Sequence, residues 1–464
     1  MWNAMRTLLI CVLTLAGTAA AQEVSPTPPM GWNSWDAYGL TIDEADFKAN
    51  ASVLAGLRAQ GWSYAVIDQG WYMRQPFGGK LQTRDYALDA NGLLIPALNR
   101  FPSAAAGQGF KPLADWVHAQ GLKFGIHIVR GIPKQAVTSN LPIADSAFRA
   151  KDAADTTDTC PWDDSNYGVR DTPAGQAYYD AMLALYARWG VDFLKVDCIA
   201  DHPYKIGEIR QIAAAIRKSG RPIVLSLSPG PTQLAHAAEI RQFGQMWRIS
   251  NDVWDGWTFT REHPNDDFPM GVRDLFDRLP AWAGQARDGR WPDADMLPLG
   301  TLAPHPGWGD ARSSRLTAEE QRTLLSLHAM ARSPLVLGAN LTRLDETTRA
   351  LITNQDVIAL DQHSHDNHPV DRLPEGYEQV RAWVASGRNG ERYLALFNLG
   401  EKPFALKAAW GELGLESGRY AARDLWSGRS SKASGSLSLS LPAHGTALLS
   451  VQKVPWPVRI AVAR

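Results

Sequence analysis

Residues 190–197 read GVDFLKVD, a short apolar stretch that ends in a lysine and an aspartate two positions apart. Alternate residues of a β-strand point to the same side, so Lys195 and Asp197 share one face of the predicted strand. Charged groups are costly to bury unless they are paired. The two residues therefore form either a structural ion pair or a site in which Asp197 attacks a substrate, while Lys195 binds a hydroxyl group and keeps the carboxylate ionised.

Seven more apolar stretches flank this one. The eight predicted strands cover residues 30–35, 64–68, 123–129, 192–197, 222–228, 245–250, 293–297 and 334–339. Amphipathic helical patterns lie between them, at 43–61, 110–121, 175–190, 204–220 and 317–333, and several end at glycine, as helix C-termini favour. Eight alternating units predict an α/β fold, a closed (β/α)8 TIM barrel. An open doubly wound sheet is the alternative, and it fits this number of units less well.

The pattern changes after residue 366. RYLALFNLG, FALKAA and SLSLSL alternate apolar and polar residues between turns rich in glycine, proline and asparagine, which is typical of an antiparallel sheet. We therefore predict three segments: a signal peptide at 1–21, a catalytic barrel at 22–365 and a C-terminal antiparallel β domain at 366–464.

The N-terminus has the pattern of a secretory signal. Arg6 precedes an apolar run that ends in Ala19, Ala20 and Ala21. The run is too short to cross a bilayer, so we expect a soluble protein, secreted or periplasmic after cleavage.

Cys11 lies in this signal, which leaves Cys160 and Cys198 in the mature chain. Two cysteines in an oxidising compartment predict one disulfide, and two free, buried thiols are the alternative.

The composition limits the partners. The chain has 47 Lys and Arg against 48 Asp and Glu, a net charge of −1, which gives no electrostatic reason to expect nucleic acid or an anionic membrane. It has no Cys/His metal spacing, no glycine-rich phosphate loop and no nucleophile elbow, so we expect no cofactor and no metal. The 18 tryptophans are many, and we assign part of them to sugar-binding surfaces. The sequence does not predict the oligomeric state.

A second carboxylate is expected at the same end of the barrel. The active site of a TIM barrel forms where the strands end, so polar residues at strand ends should meet there. In WRISNDVWDGW (247–257), Asp252 follows Arg248 by four residues, and burial among aromatic side chains would raise its pKa toward that of a general acid. Asn-Asp is also ordinary turn chemistry. The tryptophans expected to flank the two aspartates are Trp35, Trp71, Trp254 and Trp257.

The motifs PPMGWNSW, IDQGWY, GLKFGIH, GVDFLKVD, WRISNDVWDGW and WPDADMLPLG occur in this order. Together they resemble glycoside hydrolase family 27, the α-galactosidases and α-N-acetylgalactosaminidases, over nearly the whole mature chain. The resemblance implies a C-terminal β-sandwich, Asp197 as the nucleophile and Asp252 as the acid/base. The substrate-binding residues that we expect are Trp35, Asp68, Gln69, His127, Lys195, Ser228, Arg248 and Asp295.

The chain departs from the family at four places. The family's Asp-Asp pair, which takes the outer hydroxyls of galactose, is here Asp68-Gln69, so one carboxylate has become an amide that also donates. Ser228 stands where relatives commonly have a bulkier contact, and His127 replaces a usual tyrosine. The segment 133–167, containing CPWDD, is longer than in typical members.

We therefore expect a retaining exo-glycosidase that releases terminal α-D-galactose from oligosaccharides or polysaccharides. Because the departures affect sugar recognition, three alternatives stay open on the same scaffold: an isomalto-dextranase-like α-glucan hydrolase, a β-L-arabinopyranosidase and an α-N-acetylgalactosaminidase. From other classes, a carbohydrate-binding protein without activity and a metal-dependent hydrolase remain. The many aspartates suggest the latter, although no histidine accompanies Asp293 and Asp295.

Overall fold

A computed structural model describes residues 24–76, 85–263, 267–302 and 310–455. The predicted signal peptide lies outside the described residues. In the described part of the chain no helix is long and apolar enough to span a membrane.

Eight short parallel strands form one sheet. They are β1 (Met30–Asn33), β2 (Tyr64–Ile67), β3 (Lys123–Val129), β4 (Phe193–Asp197), β5 (Val224–Leu227), β6 (Met246–Arg248), β7 (Trp291–Asp293) and β8 (Leu335–Leu337). Their order in the sheet is β7-β6-β5-β4-β3-β2-β1-β8. A parallel bridge from Leu297 to Leu337 joins the segment after β7 to β8, with Leu297 N donating to the Val336 carbonyl at 2.7 Å. This contact closes the predicted barrel.

A helix follows each strand. The helices are α1 (Glu44–Ala55), α2 (Lys111–Ala119), α3 (Pro173–Trp189), α4 (Ile206–Ser219), α5 (Ala237–Ile240), α6 (Val272–Arg278), α7 (Ala318–Ala331) and α8 (Gln355–His363). One-turn or two-turn helices also occur at Trp35–Tyr38, Lys134–Thr138, Ala150–Ala153 and Glu346–Ile352. Local chemistry sets the ends of α3: Thr172 caps its N-terminus by accepting from Gly175 N, and Gly190, at φ 88°, ends it in the left-handed region.

Several predicted strand boundaries were wrong, and two of them concern residues of the expected site. The first strand stops at Asn33, and Trp35 starts a one-turn helix instead of ending the strand. The seventh spans Trp291–Asp293 and not 293–297. Asp295 has φ 85°, a left-handed conformation that interrupts an extended strand, so only Leu297 beyond it pairs with β8.

The long segment between β3 and α3 forms a small antiparallel sheet. Its three strands are Ile132–Pro133, Ala154–Thr159 and Asn166–Val169. The disulfide predicted between Cys160 and Cys198 is present and ties this segment to the end of β4. Arg130 also fixes it, by an ion pair to Asp158 at 2.9 Å. The segment is thus held against the carboxyl end of the barrel at two points.

The C-terminal residues form the predicted antiparallel domain. Its strands are β9 (His365–Pro369), β10 (Val380–Ser386), β11 (Arg392–Asn398), β12 (Phe404–Ala409), β13 (Arg419–Asp424), β14 (Ser430–Ser434), β15 (Ser436–Leu441) and β16 (Thr446–Lys453). Six make a sheet of order β9-β10-β11-β16-β13-β14, and β12 pairs with β15. A hydrophobic core that includes Val384, Leu406 and Trp410 lies within this domain. The predicted boundary at 365/366 stays a prediction.

The two parts of the chain also share a core. The main hydrophobic cluster of the barrel continues into the β domain through Trp383, Phe397 and Leu448. At the edge of this contact the His444 ring stacks on Trp257, with ring centroids 4.1 Å apart. The β domain therefore packs onto the barrel beside the loop that carries Asp252.

Candidate active site

Asp197 is the last residue of β4, and its side chain is 18% exposed. Its Oδ1 accepts a hydrogen bond from Cys198 N at 2.9 Å, and its Oδ2 lies 3.6 Å from His127 Nε2. Burial acts to raise the pKa of Asp197, but the interaction with His127, the charge of Lys195 and the Cys198 amide outweigh it and lower the pKa. The structure thus favours an ionised carboxylate at the mouth of the barrel.

Lys195 pairs with Asp68, not with the aspartate two residues away. Lys195 Nζ lies 2.9 Å from Asp68 Oδ2, and the same oxygen accepts from Asn33 Nδ2 at 2.7 Å. Burial opposes the ionisation of Asp68, yet Lys195, His127 and the amide of Gln69 hold its pKa well below the usual range. Lys195 still contributes to the field at Asp197. Lys195 thus fixes Asp68, which follows a strand two positions away in the barrel sheet, instead of forming the same-strand pair that was one of the two alternatives.

Asp252 belongs to a second charged group on the opposite strands. Arg248 at the end of β6 reaches Asp252 Oδ1 at 3.1 Å and Asp295 Oδ1 at 2.8 Å. The other oxygen of Asp295 accepts from Val253 N at 2.8 Å. Burial raises the pKa of Asp295 to about 7 against the pull of Arg248. Through these two contacts Asp295 positions the loop that carries Asp252. Its expected contact with sugar stays a prediction.

Of the four tryptophans expected to flank the two aspartates, two are buried in the protein. Trp71 and Trp254 are buried, and Trp71 Nε1 donates to the His127 carbonyl at 2.7 Å, so Trp71 belongs to the core. Trp257 is half-buried against His444. The side chain of Asp252 is 38% exposed, so the protein alone does not provide the burial from which the acid role was inferred.

Gln69 contacts the long segment. Its Nε2 donates to Asp163 Oδ2 at 2.6 Å, and Asp163 is buried. A carboxylate from the residue next to Trp162 thus lies beside the amide that replaces the family's second aspartate. Trp35, half-buried in its one-turn helix, follows the same β1 end that supplies Asn33.

A cavity of about 30 Å³ lies in the barrel interior beneath these residues. Its polar lining comes from Lys195, Ser226, Ser228, Arg248, Asp293 and Asp295. Ser228, the residue that follows β5, therefore lines the cavity below the two carboxylates.

Sequence reasoning assigned no role to two residues of the site. Asn33 holds Asp68. Asp36 is buried, its pKa is raised chiefly by burial, and none of the described residues donates to its Oδ2. It packs against Gly338, where an added Cβ would lie 1.9 Å from Asp36 Oδ2. Both residues lie in the GWNSWD motif, and a polar residue at the end of an apolar strand was the available signal.

The described residues contain no group of three His, Cys, Asp or Glu side chains that could hold a metal ion. The arrangement instead offers two carboxylates of different environment at one barrel mouth. Around them lie several fixed donors, namely His127, Lys195, Gln69 and Arg248. Such a set suits binding of hydroxyl groups and acid/base chemistry.

Comparisons with known proteins identify the family. A family model described as alpha galactosidase A matches residues 163–363, and one described as the alpha galactosidase C-terminal beta sandwich domain matches residues 377–451. The solved structure of a family 27 β-L-arabinopyranosidase from Geobacillus stearothermophilus, in complex with arabinose, is 40% identical with a TM-score of 0.85, and covers 93% of this chain and 98% of its own. The chain belongs to glycoside hydrolase family 27.

Other relatives of this family 27 glycoside hydrolase carry a different name. Alpha-galactosidase A of Cellvibrio japonicus is 27% identical over 459 residues, which is 95% of this chain and 96% of the relative. Alpha-galactosidase I of Mortierella vinacea has a solved structure with 25% identity and a TM-score of 0.70, covering 93% of this chain and 98% of its own. The family resemblance predicted from the motifs is confirmed.

Proposed function

We propose that this family 27 enzyme is a retaining exo-glycosidase that releases terminal α-D-galactosyl residues, with Asp197 as the nucleophile and Asp252 as the acid/base. One observation carries the proposal. Two carboxylates stand at the end of β4 and in the loop after β6. One is 18% exposed with a lowered pKa, and the other is 38% exposed and held by Arg248.

In the first step the Asp197 carboxylate forms a bond to the anomeric carbon while the bond to the leaving oxygen breaks. Asp252 gives its proton to that oxygen, so the leaving group departs as a neutral alcohol. In the second step Asp252 takes a proton from water, whose oxygen bonds to the anomeric carbon and releases Asp197. Two displacements at one carbon retain its configuration.

The environment of each residue supports its role. A nucleophile must be ionised, and the contacts of Asp197 with His127 and Cys198 lower its pKa. An acid/base must exchange protons with the leaving group and with water, which suits the exposed edge of Asp252. Arg248 and Asp295 position that carboxylate through the Asp252 ion pair and the Val253 amide. A substrate that covers the mouth would then bury Asp252 further.

A second candidate substrate is the β-L-arabinopyranosides. This sugar has the ring configuration of α-D-galactose and lacks only the hydroxymethyl group on C5. Gln69 favours the candidate because it replaces a carboxylate that family 27 galactosidases direct at the outer hydroxyls, and one of its two amide hydrogens is already donated to Asp163. The relative at 40% identity is named for this sugar.

Kinetics of two variants on two leaving groups test the mechanism. We expect Asp197→Ala to lose turnover of all substrates, and Asp252→Ala to lose turnover of alkyl glycosides while sparing dinitrophenyl glycosides, which need little protonation. Asp115→Ala, at an exposed aspartate of α2, is the matched control and should change neither rate. Equal loss on both leaving groups in Asp252→Ala would contradict the acid/base role.

Three further measurements complete the test. The first-formed anomer, followed by NMR, should keep the configuration of the substrate, and the carboxyls of Asp197 and Asp252 should lie about 5 to 5.5 Å apart, as retention requires. A panel of nitrophenyl α-D-galactoside, β-L-arabinopyranoside, α-D-glucoside and N-acetyl-α-D-galactosaminide ranks the sugars. Fastest turnover of the glucoside would overturn both candidates.

We also propose that the protein acts outside the cytoplasm after cleavage near Gln22. The Cys160–Cys198 disulfide supports this, since such bonds persist in oxidising compartments. N-terminal sequencing of the protein recovered from culture medium or periplasm tests it, and an intact Met1 would contradict it.

A further inference from the structure

Trp162 is the one tryptophan that is exposed in the described part of the chain, with 36% of its surface accessible. It lies in the CPWDD stretch of the long segment after β3. Covering the exposed part of this large apolar side chain would be favourable. Trp162 is therefore available to contact a ligand or a partner.

Two anchors fix Trp162 over the active site. Two residues before it, Cys160 is bonded to Cys198, the residue that follows the proposed nucleophile. One residue after it, Asp163 accepts a hydrogen bond from Gln69 at 2.6 Å. Both anchors end on residues of the barrel mouth, so the tryptophan between them is held there.

His202 extends the same surface. Its ring centroid lies 5.2 Å from that of Trp162, at an interplanar angle of 56°, and its side chain is 47% exposed. Asp201 orients the imidazole through a contact of 2.6 Å to Nδ1. This contact raises the pKa of His202, and the carboxylates of Asp267 and Asp197 act in the same direction. His202 is thus within electrostatic reach of the nucleophile.

Neighbouring charged and polar groups connect His202 with the loop of the proposed acid/base. Asp267, which influences His202, accepts a hydrogen bond from Asn251 Nδ2 at 2.8 Å. Asn251 immediately precedes Asp252, the proposed acid/base. Because the acid must be next to the glycosidic oxygen, the group attached to that oxygen extends along this side of the mouth.

We infer that Trp162 and His202 form a binding site for the sugar ring on the leaving-group side of the scissile bond. The inference rests on the proposed function. The face of an indole ring suits the C–H face of a pyranose, and His202, oriented by Asp201, donates a hydrogen bond to one of its hydroxyls. The site selects oligosaccharides over substrates whose leaving group carries no ring.

The test compares two substrates of the sugar that the parent enzyme prefers: its glycosyl fluoride, whose leaving group is a single atom, and a disaccharide with a second pyranose. Aryl glycosides are avoided because their ring can also stack on Trp162. We expect Trp162→Ala to lower kcat/KM on the disaccharide by about tenfold, the size expected of one stacked ring, and to leave the fluoride within about twofold. Trp162→Phe should retain most of the activity on the disaccharide.

Trp116→Ala is the matched control, since Trp116 is a half-buried tryptophan on α2 that Lys48 covers. It should change the ratio of the two substrates by less than about twofold. Equal losses on fluoride and disaccharide in Trp162→Ala, or no loss on either, overturn the binding site alone. A parent enzyme that hydrolyses neither substrate overturns the proposed function and the site with it.

Discussion

The pair formed by Lys195 and Asp68 makes a prediction that combines stability and pH. Lys195→Met keeps the apolar stem and removes the charge, which leaves Asp68 buried without its cation. Breaking a buried pair in this way costs about 3 to 5 kcal/mol. Asp68 keeps hydrogen bonds from Asn33 Nδ2 and Gln69 N, at 2.7 and 2.8 Å, so we expect the lower end, about 3 kcal/mol at pH 7.

The pH dependence of this loss has a definite sign. In the parent the lowered pKa of Asp68 contributes stability that is present above the unfolded pKa, about 4, and is lost as the pH falls through the folded pKa. Without Lys195 the pKa of Asp68 rises, and this contribution disappears. The difference between parent and variant should therefore be largest near neutrality and should narrow below about pH 4.

Urea denaturation followed by tryptophan fluorescence, at several pH values, measures both effects. Lys218→Met is the matched control: it removes an exposed lysine from an ion pair with Asp180, and should cost less than about 1 kcal/mol. Adding Asp68→Asn to Lys195→Met should recover part of the loss, because no uncompensated charge remains. A loss below about 1 kcal/mol, or one that stays constant with pH, would refute the argument.

Three other variants address the site. His127→Phe removes a contact that lowers the pKa of Asp197, so the acid limb of kcat/KM should move to higher pH, and an unmoved limb would show that His127 does not act on the nucleophile. Gln69→Asp should raise the kcat/KM ratio of α-D-galactoside over β-L-arabinopyranoside, and an unchanged ratio would mean that Gln69 does not distinguish the sugars. Replacing Cys160 and Cys198 by serine, which opens a link between residues separated by 38 positions, should lower the free energy of unfolding by about 4 kcal/mol in urea denaturation, and a loss under about 1 kcal/mol would contradict this.

The sequence predicted features that depend on local periodicity. Seven of the eight barrel strands lie within two residues of their predicted ends, and the helices that end at Gly190 and Gly220 occur where the apolar patterns and turn residues placed them. The seventh strand is the exception. The antiparallel strands of the C-terminal domain were found in the same way. These elements are specified by neighbouring residues, so one sequence is enough to locate them.

The sequence could not predict contacts between distant residues. Lys195 bonds Asp68 across 127 positions, and Gln69 bonds Asp163 across 94. Whether a tryptophan is buried, as Trp71 is, or exposed at the mouth also depends on the packing of several elements. Periodicity carries no information on such pairs.

The joint core of barrel and β domain limits how this architecture can change. Phe397 packs on Phe276 of α6, with ring centroids 5.0 Å apart. His444 stacks on Trp257, in the loop that carries Asp252. The β domain is therefore not an interchangeable module. A barrel transplanted onto another relative's β domain would need matching residues at both contacts, and a change of length in the turn around His444 would disturb the catalytic loop before it disturbed the sheet.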